Sequence, residues 1–126
     1  MQHWAYSMET KLKVYQMNLD GEIDAAKMAE VDRVIGQLVK GEMYGLILNF
    51  ESVEHVHFTI LSTLVDEKKR LQSFGGDLRL AGLSDYIKNI FRTTGMLEEF
   101  QVFDTPLQAA RSFGVAKPAT NLPLGL

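Results

Sequence analysis

The chain contains no cysteine, which excludes disulfide staples, thiolate metal sites and a cysteine nucleophile. Proline is scarce, and two of the three prolines lie between Lys117 and Leu126. Long apolar runs are missing: Gly45-Leu46-Ile47-Leu48 is typical, far below the ~20 residues that cross a bilayer as a helix. Positive charge is not in excess either. With 13 basic against 16 acidic residues the net charge is -3, so no electrostatic case exists for nucleic acid or for an anionic membrane surface. Met1-Gln2-His3-Trp4 has neither the basic start nor the apolar stretch of a secretory signal, and a cytoplasmic location is the expectation. The rest is ordinary for a folded domain. Of 126 residues, 46% are hydrophobic and 23% charged, enough to bury one core without staples.

Strand and helix signals alternate along the chain. Lys11 to Leu19 is rich in extended formers and meets a turn pair at Asp20-Gly21. Asp24 has the position of an N-cap, after which Met28, Val31, Ile35, Leu38 and Val39 recur at helical spacing until Gly41. Leu46 to Phe50 is short and nearly all apolar, as in a strand covered on both faces. Leu61, Leu64, Val65 and Leu71 form a second stripe ending at Gly75-Gly76, and the mixed charges Asp66 to Arg70 read as its solvated face. Leu78 and Leu80 mark a further strand. Ser84 caps a short helix with Ile87, Ile90 and Phe91 inward, closing near Gly95, and Phe100 to Phe103 is the fifth strand. Thr105-Pro106-Leu107-Gln108 is a capping box opening a last helix, with Leu107, Ala110 and Phe113 inward. This order predicts one α/β domain, residues 1–114, with a mixed, mostly parallel sheet of about five strands and four helices, its first strand antiparallel at the edge. Residues 115–126 read as a flexible tail.

Catalytic signals are weak. No phosphate-cradling glycine loop and no Gly-x-Ser-x-Gly nucleophile turn is present. His55 and His57 share one side of an extended segment, a spacing compatible with a metal, yet only His3 remains as a third histidine. No metal and no cofactor are therefore expected. Asp20, Glu22 and Asp24 form an acidic group, but two of them fit turn and cap roles rather than paired-carboxylate chemistry. Trp4 and Tyr6 read as core or edge residues covering the sheet.

Three stretches carry a resemblance to a known family: Leu19-Asp20-Gly21-Glu22-Ile23-Asp24, then Leu46 to Val53, then Leu80 to Ser84 together with Thr94-Gly95-Met96-Leu97. In order and spacing, from about Ala5 to Phe113, the chain resembles the STAS domain of anti-sigma-factor antagonists, sulfate transporters and stressosome proteins. That resemblance implies a non-catalytic module that binds a protein partner. The family's regulatory members carry Asp-Ser-Ser-Gly at the start of helix two, the second serine being the phosphoacceptor. Here those positions read His57-Phe58-Thr59-Ile60.

Thr59 is thus the candidate phosphoacceptor, a hydroxyl where backbone N–H groups favour a phosphate. The alternative is a plain N-cap. Phe58 is expected to staple against the first turn near Thr63; exposed beside Met96, it would instead mark an interface. Ile60 replaces a glycine at a place of close partner approach. The expected binding face comprises Asp24, His57, Phe58, Thr59, Ile60, Ser62, Ser84 and Met96. Its partner is an anti-sigma factor, a kinase-like regulator or the subunits of an assembly, with a homodimer also compatible. A constitutive subunit of a lipid-transport or stressosome-like assembly, without a phospho-switch, is the competing expectation, and a small-ligand or metal sensor using His55 and His57 is a third.

Overall fold

The computed structural model describes residues 3–7 as backbone and 13–114 in full. The predicted tail, 115–126, lies outside the described residues, as do the side chains of Trp4 and Tyr6. Strand β1 (His3–Ser7) pairs antiparallel with β2 (Lys13–Ile23), and β2, β3 (Gly45–Val56), β4 (Asp77–Ala81) and β5 (Val102–Phe103) follow in parallel, in the order of the chain. Helices α1 (Ala25–Lys40), α2 (Leu61–Gln72), α3 (Asp85–Thr93) and α4 (Pro106–Ser112) alternate with them. The mixed five-stranded sheet and four helices are those expected.

The strand alternation sorts side chains into two cores. Tyr15, Met17 and Leu19 of β2, Leu46, Leu48 and Phe50 of β3, and Leu78 and Leu80 of β4 face the first three helices. Successive right-handed crossovers put α1, α2 and α3 on that one face. On the other face Val14, Ile47 and Ala81 pack under Ala109, Ala110 and Phe113. Leu107, expected inward, is 40% exposed; the helix turns Ala109 in beside Ala110 instead. The Thr105 hydroxyl does accept from the Gln108 N–H at 3.2 Å, but the Gln108 side chain reaches the N–H of Asp104, one residue before the cap.

Three strand boundaries move. Asp20-Gly21 is no turn: β2 continues to Ile23, with Gly21 at φ 62° and the β2–β3 register shifting on either side of it. Gly21 has the left-handed backbone that a bulge can use to keep an extra residue in the ladder. Strand β3 likewise runs past Phe50 to Val56, which sets His55 in the sheet. The fifth strand is shorter than expected, because Phe100 closes a 3-10 turn (Leu97–Glu99) and drops into the core.

The charge run of α2 is the largest correction. Glu67 is 8% exposed and stands 3.7 Å from the Arg70 guanidinium, while Arg70 also reaches Asp32 of α1. Lys68 is drawn in by Asp77, 3.1 Å away at the start of β4. The α1–α2 contact swallows one side of a surface that looked fully solvated. Burial pushes the Glu67 carboxyl up to about 7, and the neighbouring Asp32 acts in the same direction. The folded chain then holds a proton that the unfolded chain releases near 4.5, so this residue's contribution to stability is full at low pH and falls as pH rises from there through about 7. Glu67→Gln, which cannot ionise, is expected to gain melting temperature relative to the parent as pH goes from 5 to 8. A parent-to-variant difference that stays flat over that range would contradict this burial.

Candidate functional site

The β2–β3 ladder ends with the His57 N–H donating to the Ile23 carbonyl at 3.0 Å. That bond fixes where the chain leaves the sheet. A 3-10 turn, Phe58–Ile60, follows and runs into α2. Ile60 and Leu61 are buried, 5% and 1% exposed, and with these anchors held the turn leaves Phe58 and Thr59 outside. Phe58 is 69% exposed. The expected staple is therefore absent: an inward Phe58 would compete with Ile60 for the same core. Ile60 in turn is a core residue, not a partner contact, which corrects its place in the predicted face.

Thr59 is exposed, and neither the 3-10 turn nor α2 takes a side-chain cap. The N-cap expectation for Thr59 fails for a geometric reason: α2 begins two residues later, behind Ile60. Two other caps are as expected. Asp24 accepts from the Lys27 N–H at 3.0 Å and opens α1; Ser84 accepts from the Ile87 N–H at 3.2 Å and opens α3. The Lys27 N–H holds the Asp24 carboxyl below the usual carboxylate range, with His57 adding in the same direction.

Between the turn and α3 lies a cleft of about 430 Å³. His55 and Val56 line it from the end of β3, and His57, Phe58 and Thr59 from the turn. Tyr86, Ile90, Thr93 and Thr94 face it from α3. The His55 Nδ1 and the Tyr86 hydroxyl are 2.7 Å apart, and the His55 and His57 rings meet edge to face at 5.3 Å. His57 Nε2 is 3.8 Å from Glu22, the residue paired with His55 across the ladder. Three of the predicted residues thus converge, His57, Phe58 and Thr59. Ser62 is exposed on the first turn of α2, outside the lining. Ser84 is spent as a cap, and Met96 is half-buried against the main core and does not line the cleft.

Tyr86, Thr93 and Thr94 were missing from the predicted face. The helical spacing of Tyr86, Ile90 and Thr93 was a signal for one shared face. Among the described residues no group of three or more His, Asp or Glu is placed to hold a metal ion. No described helix is long and apolar enough to cross a membrane.

These placements set an order of stabilities. Phe58→Ala and Thr59→Ala are expected to change stability by no more than about 0.5 kcal/mol, as surface sites without a cap or packing role. Ile60→Ala is expected to cost about 2–4 kcal/mol as a cavity in the core. Chemical denaturation measures all three, and a loss of about 3 kcal/mol or more for Phe58→Ala, the lower edge for truncating a core phenylalanine, would place that ring in the core instead.

Comparison with known proteins agrees with this fold. A curated relative, the anti-sigma-B factor antagonist of Staphylococcus aureus, is 27% identical over 93 residues, 74% of this chain and 86% of that protein. An anti-sigma factor antagonist of Thermotoga maritima, so described only provisionally, shares the fold with a TM-score of 0.70 at 16% identity, over 86% of this chain and 92% of that one. The anti-sigma factor antagonist SpoIIAA in its unphosphorylated form gives 0.69 at 18% identity over 88% and 96%. The Bacillus protein in its phosphorylated form gives 0.61 at 19% over 85% and 96%. The STAS domain profile matches residues 5–109, and the chain belongs to the STAS domain family.

Proposed function

We propose that this chain is a non-catalytic docking module of the anti-sigma-factor-antagonist kind, which binds a regulatory protein in the cytoplasm through the turn that follows β3. The observation that carries this reading is Phe58, a phenylalanine 69% exposed at the tip of a turn pinned by buried neighbours on its C-terminal side. Burying such a ring against a partner removes apolar area from water, and little conformational freedom is left to lose because the turn is already fixed. Asp24, His57, Thr59, Ser62 and Ser84 complete the proposed face. The relative named above is an antagonist of an anti-sigma factor, and a kinase-type anti-sigma factor is the partner class this reading favours.

Thr59 is the phosphoacceptor of the proposal. Its side chain is exposed beside Phe58, so a phosphate there would place about -1.5 to -2 charges at the centre of the docking face. SpoIIAA, which shares this fold, has been solved in both phosphorylated and unphosphorylated forms, which supports reading the turn as a place for a covalent switch. A second reading has an observation of its own. Ile60 fills the core where the family motif has glycine, and His57 and Phe58 enlarge the turn, a surface suited to constitutive docking.

Titration calorimetry against a kinase-type anti-sigma factor, the partner class proposed, separates these outcomes. Phe58→Ala is expected to weaken binding at least about tenfold, equivalent to 1.4 kcal/mol, with unchanged melting temperature. Thr59→Glu should weaken it similarly, while Thr59→Ala binds as the parent does. If Thr59→Glu also binds normally, docking is constitutive. If Phe58→Ala binds normally, the docking face lies elsewhere and the proposal is wrong.

A further inference from the structure

We propose that the cleft between the His55–Thr59 segment and α3 accepts a guanidinium group, an arginine side chain carried by the docking partner. This rests on the reading of the turn as a docking face and names the chemistry that enters beside it. Three observations point to a cation with several donors.

The first is the state of the cleft's hydroxyls. Thr93 Oγ1 donates to the Ile90 carbonyl at 3.2 Å, and Thr94 Oγ1 is 3.0 Å from the carbonyls of both Ile90 and Phe91. With their protons committed to the helix backbone, both oxygens present only lone pairs to an occupant. The second is charge. No lysine, arginine, aspartate or glutamate lines the cleft, but one carboxylate stands beside it. Glu22 lies 3.8 Å from the lining residue His57. Of the nearby cations, Lys27 is taken by Asp20 at 3.2 Å, and Lys88 and Arg92 of α3 are not among the lining residues. The third is aromatic surface. Phe58 and Tyr86, 69% and 56% exposed, both line the cleft, and the Tyr86 hydroxyl is held at 2.7 Å from His55.

Lone-pair acceptors, a flanking carboxylate and exposed aromatic rings together suit a planar, weakly hydrated cation with five N–H donors better than a compact ammonium. Continuity with the Phe58 tip favours a side chain of the docking protein over a free metabolite. A partner that buries Phe58 brings its own surface directly over the cleft mouth.

The test is an NMR titration of the full chain with the peptide acetyl-Gly-Arg-Gly-amide, alongside the same peptide carrying citrulline, the neutral isostere, or lysine. Amide shifts are expected at Tyr86, Thr93 and Thr94, half-saturating on the order of 1 mM. Citrulline should bind at least tenfold more weakly, and lysine should fall between. Tyr86→Ala, confirmed folded by its spectrum, should abolish the arginine response. Equal shifts with arginine and citrulline, or none at these three residues, would overturn the assignment. If the arginine peptide fails while Phe58→Ala still disrupts the partner complex, the cation cleft is wrong and the docking reading stands. If the peptide binds while Phe58→Ala leaves the complex intact, the docking reading fails and the cleft's chemistry stands.

Discussion

The hydrogen bond from the His57 N–H to the Ile23 carbonyl is the constraint on which the site depends. It is the last rung between β2 and β3, and everything after it is determined by where the chain is released. Because β2 carries a bulge around Gly21, the ladder extends to Ile23 rather than ending at Asp20. Glu22 is thereby set opposite His55. From His57 onward, Ile60 and Leu61 must reach the core under α2. One 3-10 turn bridges that distance, and Phe58 and Thr59 are the residues left outside.

The opposite side of the cleft is built by different means. Ser84 caps α3, so the helix starts at a defined place, and Ile87 and Phe91 bury its inner face. Phe91 packs edge-on against Phe50 of β3 and Phe100 beyond α3, with ring centroids 6.1 and 5.9 Å apart. That aromatic cluster fixes the rotation of α3. Tyr86, Ile90, Thr93 and Thr94 are turned toward the β3 exit as a result. The two walls of the cleft are thus each held by core packing, so the surface between them is preformed.

Most of the architecture was legible in the sequence because it rests on periodicity and on local capping chemistry. Alternating strand and helix patterns, Asp24 and Ser84 as caps and the Gly75-Gly76 turn into β4 depend on residues close in sequence. What failed depends on contacts between distant elements. Glu67 looks like one charge in a solvated run, and only the approach of α1 buries it against Arg70 and Asp32. Phe58 fits a staple by spacing, but the core already has Ile60. The cleft itself joins His55 to Tyr86 across 31 positions, a pairing that no local pattern encodes. Resemblance to the STAS family located the turn; the chemistry that replaced the family's acidic-serine motif became readable only from the orientation of its side chains.

Hydrogen exchange on this chain, free and mixed with a kinase-type anti-sigma factor, tests the central claim most directly. Protection is expected in His55 to Thr63 and along Ser84 to Thr94, the two walls of the cleft. Protection confined to the opposite pole, where Tyr44 and Phe74 stack at 4.9 Å, with the β3 exit exchanging as in the free chain, would contradict it.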